Sequence, residues 1–444
     1  MSKSIDKIKL RGGTPGKPLG SEDSLDQVEQ HARRRRVAIT GLGAVAPNGI
    51  GKAKFWEANV KGTSGVGFIK SFDTRDFQTK IGAEINDFKP LEYMSQLTIY
   101  KTDRFSQFAI ACSKMAFEDS KLDLHQEDTN RIGVVIGTGL GGMFFYEKQI
   151  LAMYEHGPKK VHPGSVPRIM ANAPASQVAI ELKLRGPNLT INTACASGSH
   201  AIGQAYELIL QNKADIILAG GTEAPFSPYT YAAFDALTVM SKRNDSPEKA
   251  CKPFDKERDG FVMGEGAGIL ILEELDHALN RGASIYAEII GYGANSGAFH
   301  MVIPVKEGGD AAKAMAEALK EANISPEDVD YISAHGTSTI ANDKAETLAI
   351  KEVFGGYAYE IPISSTKSMI GHTIGASGAF GAIVCALTID TNIIPPTINY
   401  ECPDPECDLD YVPNKARRKK VDVALSNSFG FGSNNATLVF RRLR

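Results

Sequence analysis

Residues 189–203, LTINTACASGSHAIG, join a β-rich run to apolar residues at helical spacing. The first run predicts a strand from Leu189 to Thr193, and small residues then lead into a helix from Ala201 onward. Cys195 lies at the junction, where the N–H groups and dipole of a helix N-terminus favour a thiolate. A buried structural cysteine explains this local pattern equally well, because most free cysteines are small core residues. The choice between nucleophile and core residue therefore depends on partners elsewhere in the chain.

The bulk properties of the chain indicate a globular protein in two parts. Its 444 residues exceed one ordinary core, so two domains or two fused halves are expected. The net charge of -3 does not indicate a nucleic-acid-binding protein. No uninterrupted apolar run is long enough to predict a membrane span. Six scattered cysteines suit a reducing cytosol, so we expect a cytoplasmic protein. Cys402 and Cys407 have no second Cys/His pair nearby, and we therefore expect no metal site.

The first 36 residues differ from the rest in their glycines, prolines and charges. They show no sustained apolar periodicity, so we expect a flexible N-terminal extension over residues 1–36. Five acidic side chains in this stretch argue against a mitochondrial or plastid transit peptide, because such peptides are poor in acid. The rest of the chain is expected to divide into halves at 37–295 and 296–444.

The run GLGAVA, residues 41–46, follows a strand-like segment and is similar to a dinucleotide-binding fingerprint. Pro47 and Gly49 come directly after it and would interrupt the helix that should bind the pyrophosphate. No strand that ends in an acidic residue stands at the expected distance, so a tight turn after a buried strand is favoured. A nucleotide-dependent oxidoreductase is the rival class, and a titration with NADH or NADPH tests it.

The second half of the sequence repeats the order of the first. The similar pairs are 328–337 with 129–138, 363–372 with the Cys195 segment, and 421–428 with the run from Ala214. Each copy predicts a strand, a turn of small residues, a helix and a strand. The repeat predicts two similar α/β halves with buried, parallel-type strands, whose equivalent strand ends meet at one site.

Two histidines lie just past predicted strands of this repeat, each close to a glycine. His335 stands in AHGTST, residues 334–339, and His372 stands in KSMIGHTIG, residues 367–375. A single histidine in such a turn is more often structural. Two of them, in a repeat that also contains Cys195, make a shared catalytic site the stronger hypothesis.

The glycine-rich run FGFGS, residues 429–433, is a fourth candidate element of the site. Its glycines allow a backbone N–H to turn into the site, and Phe431 could act as a hinged lid. A plain β-turn before the last strand is the alternative. Lys367 also has two interpretations, as a buried charge partner of Glu346 or as a solvated side chain.

Four motifs together resemble those of the elongating β-ketoacyl-acyl carrier protein synthases of the type II branch. They are NTACASG (192–198), HGTST (335–339), KSMIGH (367–372) and NSFGFG (427–432). The resemblance runs from about residue 35 to the end of the chain, with the family's order and spacing. It implies an α/β thiolase fold, with two pseudo-repeated halves in a five-layered α/β/α/β/α arrangement, usually as a homodimer.

The resemblance also implies a role for each matching residue. Cys195 would take the acyl chain from an acyl carrier protein, and its N–H and that of Phe431 would form the oxyanion hole. His335 and His372 would bind the malonyl thioester and stabilise the enolate, ordered by Lys367 with Glu346. The implied substrate contacts are Thr337 and Thr339 for the pantetheine arm, Leu140 and Phe234 for the acyl pocket, and Phe429. No metal or cofactor is implied, and the expected partners are acyl and malonyl carrier proteins and a second copy of the chain.

The same motifs leave other functions open. A ketosynthase of a type II polyketide or other specialised pathway would use the same chemistry, and AFDAL, residues 233–237, is similar to some such subunits. A degradative thiolase would need a second catalytic cysteine, which residues 429–435 lack, and a non-catalytic chain-length partner would lack Cys195. Val302 and Ser433 depart from common family residues, which leaves the identity of the carrier protein more open than the chemistry.

Overall fold

Apolar runs such as IGVVIG and GAGILILEE, buried at every residue, form the central strands. Such runs are typical of strands that are covered on both faces. The computed structural model describes residues 35–443. Its strands are β1 Val37–Ala46, β2 Gly49–Ile50, β3 Gly67–Phe68, β4 Ile81–Gly82, β5 Ile132–Gly137, β6 Asn188–Ile191, β7 Ile216–Glu223, β8 Gly266–Glu274, β9 Ala287–Ser296, β10 Tyr331–Ser333, β11 Ile363–Ser364, β12 Ile393–Ile394, β13 Arg417–Arg418, β14 Val423–Gly430 and β15 Asn434–Arg441.

The helices follow polar or small N-cap residues, and most of them bury apolar side chains. The Asp103 carboxylate, for example, accepts the N–H of Arg104 at the start of the longest helix. The α-helices of the described residues are α1 Lys52–Lys61, α2 Gln96–Lys101, α3 Arg104–Ser120, α4 Met143–His156, α5 Ser165–Ile169, α6 Ala173–Leu182, α7 Ser197–Leu210, α8 Pro228–Ala236, α9 Leu275–Asn280, α10 Gly309–Ala322, α11 Ile340–Phe354, α12 Lys367–Ile370 and α13 Ser377–Thr391.

Eleven strands form one mixed sheet, in which β2 pairs only with β1 and the other ten form two five-stranded copies. The order is β6-β5-β7-β8-β1 in the first copy and β11-β10-β14-β15-β9 in the second. In each copy the first three strands are parallel, and the last two run antiparallel to their neighbours. A short pairing of β1 with β9 joins the copies. The topology confirms the internal repeat, although one strand of each copy, β8 in the first and β15 in the second, runs opposite to the other four.

Helices cover both faces of each sheet copy. α3 and α6 pack on the outside of the first copy, α7 and α13 lie between the copies, and α10 and α11 cover the second copy. Three separate hydrophobic clusters fill the spaces between these layers. The result is the expected five-layered α/β/α/β/α arrangement, in which the ends of equivalent strands lie on either side of the two central helices.

The segment Ile374–Thr391, which contains α13, is by length and composition alone a candidate membrane span. In the fold, 83% of this segment is buried inside the protein. The helix is apolar on all sides because it lies between the two sheet copies, where every face contacts other core residues.

The Cys195 segment has the predicted order of strand, turn and helix, with different bounds. β6 ends at Ile191, a 3₁₀ turn covers Ala194–Ala196, and α7 starts at Ser197 rather than at residue 201. Ala194 has a φ of 51°, in the left-handed region. The chain therefore turns sharply just before Cys195 and presents this residue at the head of the helix.

The glycines of the GLGAVA run lie inside β1, and the expected tight turn at this place is wrong. A Cβ at Gly41 would lie 2.2 Å from Ala116 O, and one at Gly43 would lie 2.0 Å from Cys112 O. These glycines therefore allow α3 to pack directly on the strand. Because no helix N-terminus follows them, the dinucleotide hypothesis has no structural support.

The extension predicted for residues 1–36 lies almost wholly outside the described residues. Arg36 is an exception, since its Nη2 lies 2.6 Å from Glu288 Oε2 and its carbonyl accepts the N–H of Leu275. The folded unit accordingly begins at Arg36. The boundary expected after residue 295 falls at the end of β9, and the division of the chain there stays a prediction.

Candidate active site

A cavity of about 300 Å³ lies at the ends of the strands where the two copies meet. Its lining is largely apolar and includes ten of the predicted site residues: Leu140, Cys195, Phe234, His335, Thr337, Thr339, Glu346, His372, Phe429 and Phe431. Lys367 lies behind this lining, against the backbone of His335. The structure therefore brings together side chains that lie as much as 291 positions apart in the sequence (Leu140 to Phe431).

Cys195 and His372 are in direct contact at the base of the cavity. The distance from Cys195 Sγ to His372 Nε2 is 3.0 Å. The other ring nitrogen, Nδ1, lies 2.9 Å from Ser377 Oγ, which is itself 3.1 Å from Thr373 Oγ1. If the two hydroxyls donate in the order Thr373, Ser377, Nδ1, then Nε2 carries the ring proton and points it at the sulfur.

The Cys195 thiol does not have the depressed pKa that the sequence predicted. Burial raises the pKa of the thiol to about 11, while the Lys367 cation and the N–H of Phe431 lower it in part. A thiolate loses more by leaving water than the nearby positive charge restores. The thiol is therefore protonated at neutral pH until a substrate displaces the equilibrium.

His335 completes the base of the cavity beside His372. The two imidazole rings are 5.5 Å apart and nearly perpendicular, and the Phe429 ring lies 5.6 Å from that of His335. Burial and the Lys367 cation hold the pKa of both imidazoles well below the usual range. Both rings are therefore neutral, and each can donate one N–H.

Glu346 and Lys367 bind opposite ends of the same peptide segment. Glu346 accepts the N–H groups of His335 and Gly336, both at 2.8 Å, and Lys367 Nζ donates to the His335 carbonyl at 2.5 Å. Burial raises the pKa of Glu346 to about 7. Lys367 is buried rather than solvated, and in residues 35–443 no ion pair within 4 Å joins it to Glu346. The two side chains thus order His335 through its backbone.

The remaining predicted contacts lie higher on the cavity wall. The hydroxyls of Thr337 and Thr339 are 2.8 Å apart, and Thr339 also caps α11. Phe234 makes an edge contact with Phe261, whose ring in turn packs against His372 at 5.4 Å. The two threonine hydroxyls and these apolar rings therefore line the same cavity as the Cys195 sulfur.

Phe431 follows β14 in a tight turn and directs its N–H toward the sulfur of Cys195. Gly432 adopts a φ of 80°, which favours glycine. Ser433 ties this turn to a neighbouring loop, because its Oγ donates to the carbonyl of His300 at 3.1 Å. His300 also lines the cavity.

Sequence analysis missed Glu223, a fully buried carboxylate at the end of β7. It accepts hydrogen bonds from Gly139, Leu140 and Gly375, and burial raises its pKa to about 7. The motif search considered only cysteines, histidines and their expected partners. A comparison of residues 193–198 with 373–378, which share Thr, Ala, Ser and Gly in the same places, would have directed attention to it.

Within residues 35–443, Asp255, Glu257 and Cys402 form a cluster with the spacing of metal ligands. The Lys252 ammonium lies 3.7 Å from Asp255 and 3.8 Å from Glu257, so it already balances their charge. Asp255 also accepts the N–H groups of Glu401 and Cys402. These contacts favour a structural ion-pair role for the cluster.

Comparison with known proteins identifies the family of the chain. The family models for the beta-ketoacyl synthase N-terminal and C-terminal domains match residues 34–278 and 286–401. The 3-oxoacyl-[acyl-carrier-protein] synthase 2 of Coxiella burnetii is 48% identical over 92% of this chain and 99% of its own length. The enzyme of the same name from Synechocystis is 47% identical over 92% of this chain and 98% of its own length.

Solved structures give the same result. A type II polyketide ketosynthase in complex with its acyl-carrier protein has a TM-score of 0.87 and 38% identity, over 93% of this chain and all of that one. A beta-ketoacyl synthase from Burkholderia phymatum has a TM-score of 0.86 and 36% identity, over 92% of this chain and all of its own. With a buried Cys195 thiol beside two neutral imidazoles, this chain belongs to the β-ketoacyl synthase family of thiolase-fold condensing enzymes.

Proposed function

We propose that the protein elongates acyl chains by two carbons, through decarboxylative condensation of malonyl-acyl carrier protein with an acyl group held on Cys195. The observation that carries this proposal is the 3.0 Å contact between Cys195 Sγ and His372 Nε2, with the His335 ring 5.5 Å away from that of His372. The relatives named 3-oxoacyl-[acyl-carrier-protein] synthase 2, at 43–48% identity, support fatty acid synthesis as the setting.

In the first half-reaction, Cys195 Sγ attacks the carbonyl carbon of an acyl thioester. The bond from this carbon to the pantetheine sulfur breaks, and the thiol proton of Cys195 leaves with the carrier thiol. The N–H groups of Cys195 and Phe431 are the donors for the oxyanion that develops on the carbonyl oxygen. The apolar wall that includes Leu140 and Phe234 receives the acyl chain.

In the second half-reaction, malonyl-acyl carrier protein binds with its thioester oxygen near His335 and His372. Loss of carbon dioxide leaves an enolate, whose charge the N–H groups of the two neutral imidazoles stabilise. The enolate carbon attacks the Cys195 thioester, and the sulfur leaves and regains a proton. Thr337 and Thr339 offer hydroxyls to the pantetheine amides, and Lys367 with Glu346 maintains the His335 backbone in place.

The partners and location belong to the same proposal. We propose acyl carrier protein as the donor of both substrates, a homodimer as the active form and the cytoplasm as the compartment. β6 is an edge strand, so a second copy could extend the sheet there. Large apolar side chains near this edge are exposed, as an interface requires: Leu151, Tyr154, Val166, Met170, Ile180 and Leu189.

Mass spectrometry of the intact protein, after mixing with acyl carrier proteins that bear saturated acyl chains, tests the proposal. We expect one acyl group per chain, on the peptide that contains Cys195, and its release as a two-carbon-longer product when malonyl-acyl carrier protein is added. No adduct from any acyl donor would refute the function.

A polyketide ketosynthase is the second candidate, favoured by the 38% identical solved structure. It would accept the same nucleophile and histidines but a different carrier. Parallel reactions with fatty acid and polyketide carrier proteins separate the two, because surface contacts with the carrier influence the rate of encounter. Faster acylation from the polyketide carrier would favour this alternative.

A further inference from the structure

The turn that carries Cys195 has a second copy in the other half of the protein. Residues 193–198 are TACASG and residues 373–378 are TIGASG. Both contain a 3₁₀ turn before a helix, and both have a non-glycine residue in the left-handed region, Ala194 at 51° and Ile374 at 44°. Gly375 therefore occupies the position in the second turn that Cys195 occupies in the first.

The strand ends that face the two turns are also equivalent. β7 and β14 hold the same place in the two sheet copies, and each has eight residues, ending at Glu223 and Gly430. A Cβ at Gly430 would lie 3.2 Å from Cys195 N. The Glu223 side chain, at the equivalent position, has its Oε2 3.0 Å from Gly375 N. One strand end thus leaves the turn open, whereas the other fills it.

The Glu223 carboxylate accepts four hydrogen bonds, three of them from backbone N–H groups, which can only donate. Oε2 accepts the N–H groups of Gly139, at 2.6 Å, and Gly375, and Oε1 accepts that of Leu140 at 3.2 Å. Thr138 Oγ1 lies 3.0 Å from Oε1. Converging N–H groups at a turn form an anion-binding site. In this protein the anion bound by these N–H groups is the Glu223 carboxylate.

The three backbone donors belong to two segments of the chain, each of which includes residues that line the cavity. Gly139 and Leu140 line the wall that receives the acyl chain, and Gly375 follows His372 by three residues. A Cβ at Gly139 would lie 2.7 Å from the side chain of Ile374, so the two segments already touch. The carboxylate joins them at this contact.

We infer that Glu223 is a positioning residue: its carboxylate fills the second, inactive copy of the nucleophile turn and thereby clamps the acyl-pocket wall to the His372 segment. This inference rests on the proposed function, since it concerns the geometry of the same site. If the inference is right, removal of the Glu223 carboxylate should leave an anion site in this turn, and a small carboxylate from solution should bind there. Glu223→Ala removes Cγ and the carboxylate, two carbons in all, which is the shape of acetate.

The experiment measures acylation of Cys195, condensation and melting temperature for the parent and for Glu223→Ala, each in sodium acetate and in sodium chloride of equal ionic strength. We expect Glu223→Ala to lose about 100-fold in condensation, as for a small misplacement of reacting groups. Acetate should restore activity in a saturable manner and raise the melting temperature of this variant. It should have neither effect on the parent.

Glu273→Ala is the matched control, because Glu273 is also fully buried at a strand end but binds Arg281 and His277 away from the cavity. Acetate should restore no activity to it. If Glu223→Ala does not fold, Glu223→Gln carries the test: its NH₂ group opposes N–H donors, so condensation should be slower than in the parent.

The outcomes separate the two hypotheses. A parent protein that takes up no acyl group would refute the proposed function. An acylated parent, together with a Glu223→Ala variant that keeps full activity or gains nothing from acetate, would overturn the clamp. Parent-like rates of both half-reactions in Glu223→Gln would overturn it as well.

Discussion

The turns at Cys195 and at Gly375 have similar backbone conformations but differ in the side chains that occupy and face them. The first presents a thiol beside His372 and faces Gly430, which has no side chain. The second has no side chain at the equivalent position and faces the carboxylate of Glu223. The proposed reaction centre and the inferred clamp therefore differ at two positions. The turn has Cys195 in one copy and Gly375 in the other, and the facing strand ends at Gly430 in one and at Glu223 in the other. A repeated fold can thus keep one copy for chemistry and use the other for support.

The largest effect should come from making the first turn as inert as the second. Cys195→Ala should abolish covalent acylation and lower condensation by at least about 10⁴-fold, because no other cysteine among residues 35–443 lines the cavity. Cys195→Gln should keep malonyl decarboxylation without condensation. Mass spectrometry and release of labelled carbon dioxide measure the two steps. Full acyl incorporation in Cys195→Ala would show that the nucleophile is another residue.

Removal of either imidazole should separate the half-reactions. His335→Ala and His372→Ala should retain acylation yet lose condensation by about 10²- to 10⁴-fold, since the imidazoles stabilise charge on the malonyl-derived enolate. Single-turnover acylation and steady-state condensation are measured side by side, with the exposed His125→Ala as the control. Equal losses in both half-reactions would contradict the role at the enolate.

A side chain at the open strand end should make the first turn resemble the second. In Gly430→Ala the new Cβ would lie 2.6 Å from Thr193 O and 3.2 Å from Cys195 N, so the turn must move. Overpacking of this kind costs about 1–3 kcal/mol of stability, and acylation should fall by about 100-fold. Gly356→Ala is the control, because a Cβ there meets nothing within 4 Å. Unchanged acylation in Gly430→Ala would mean that the turn tolerates a filled strand end.

The smallest effect is expected from removal of the positive charge of Lys367 near the Cys195 thiol. Lys367 lowers the pKa of Cys195, which burial has raised to about 11. Lys367→Met should therefore move the thiol pKa further up and slow alkylation by iodoacetamide at any pH below it. The rate at the Cys195 peptide, measured against pH, gives the midpoint, with Lys252→Met as the buried-lysine control. A midpoint that stays in place or falls would contradict this assignment.

The same comparison explains which features could be predicted from sequence. The repeat, the motif order and the three reacting side chains are local patterns, and the topology confirmed the repeat. The tight turn at Gly41 was a wrong prediction because those glycines accommodate α3, a contact with residues about 70 positions away. The thiol pKa was wrong because helix position is visible in sequence, whereas desolvation by a folded cavity is not.

The sequence by itself determined the family and the two similar α/β halves, and it singled out Cys195, His335 and His372 as candidate catalytic residues, because each is encoded in short motifs with fixed spacing. Only the tertiary structure decided which copy of the turn is open and which is filled. That difference depends on Gly430 and Glu223, which lie in strands far from their turns in sequence and reach them through the stacking of two sheets. Hydrogen bonds and burial depend on distance in space, and the folded chain alone brings those groups within reach.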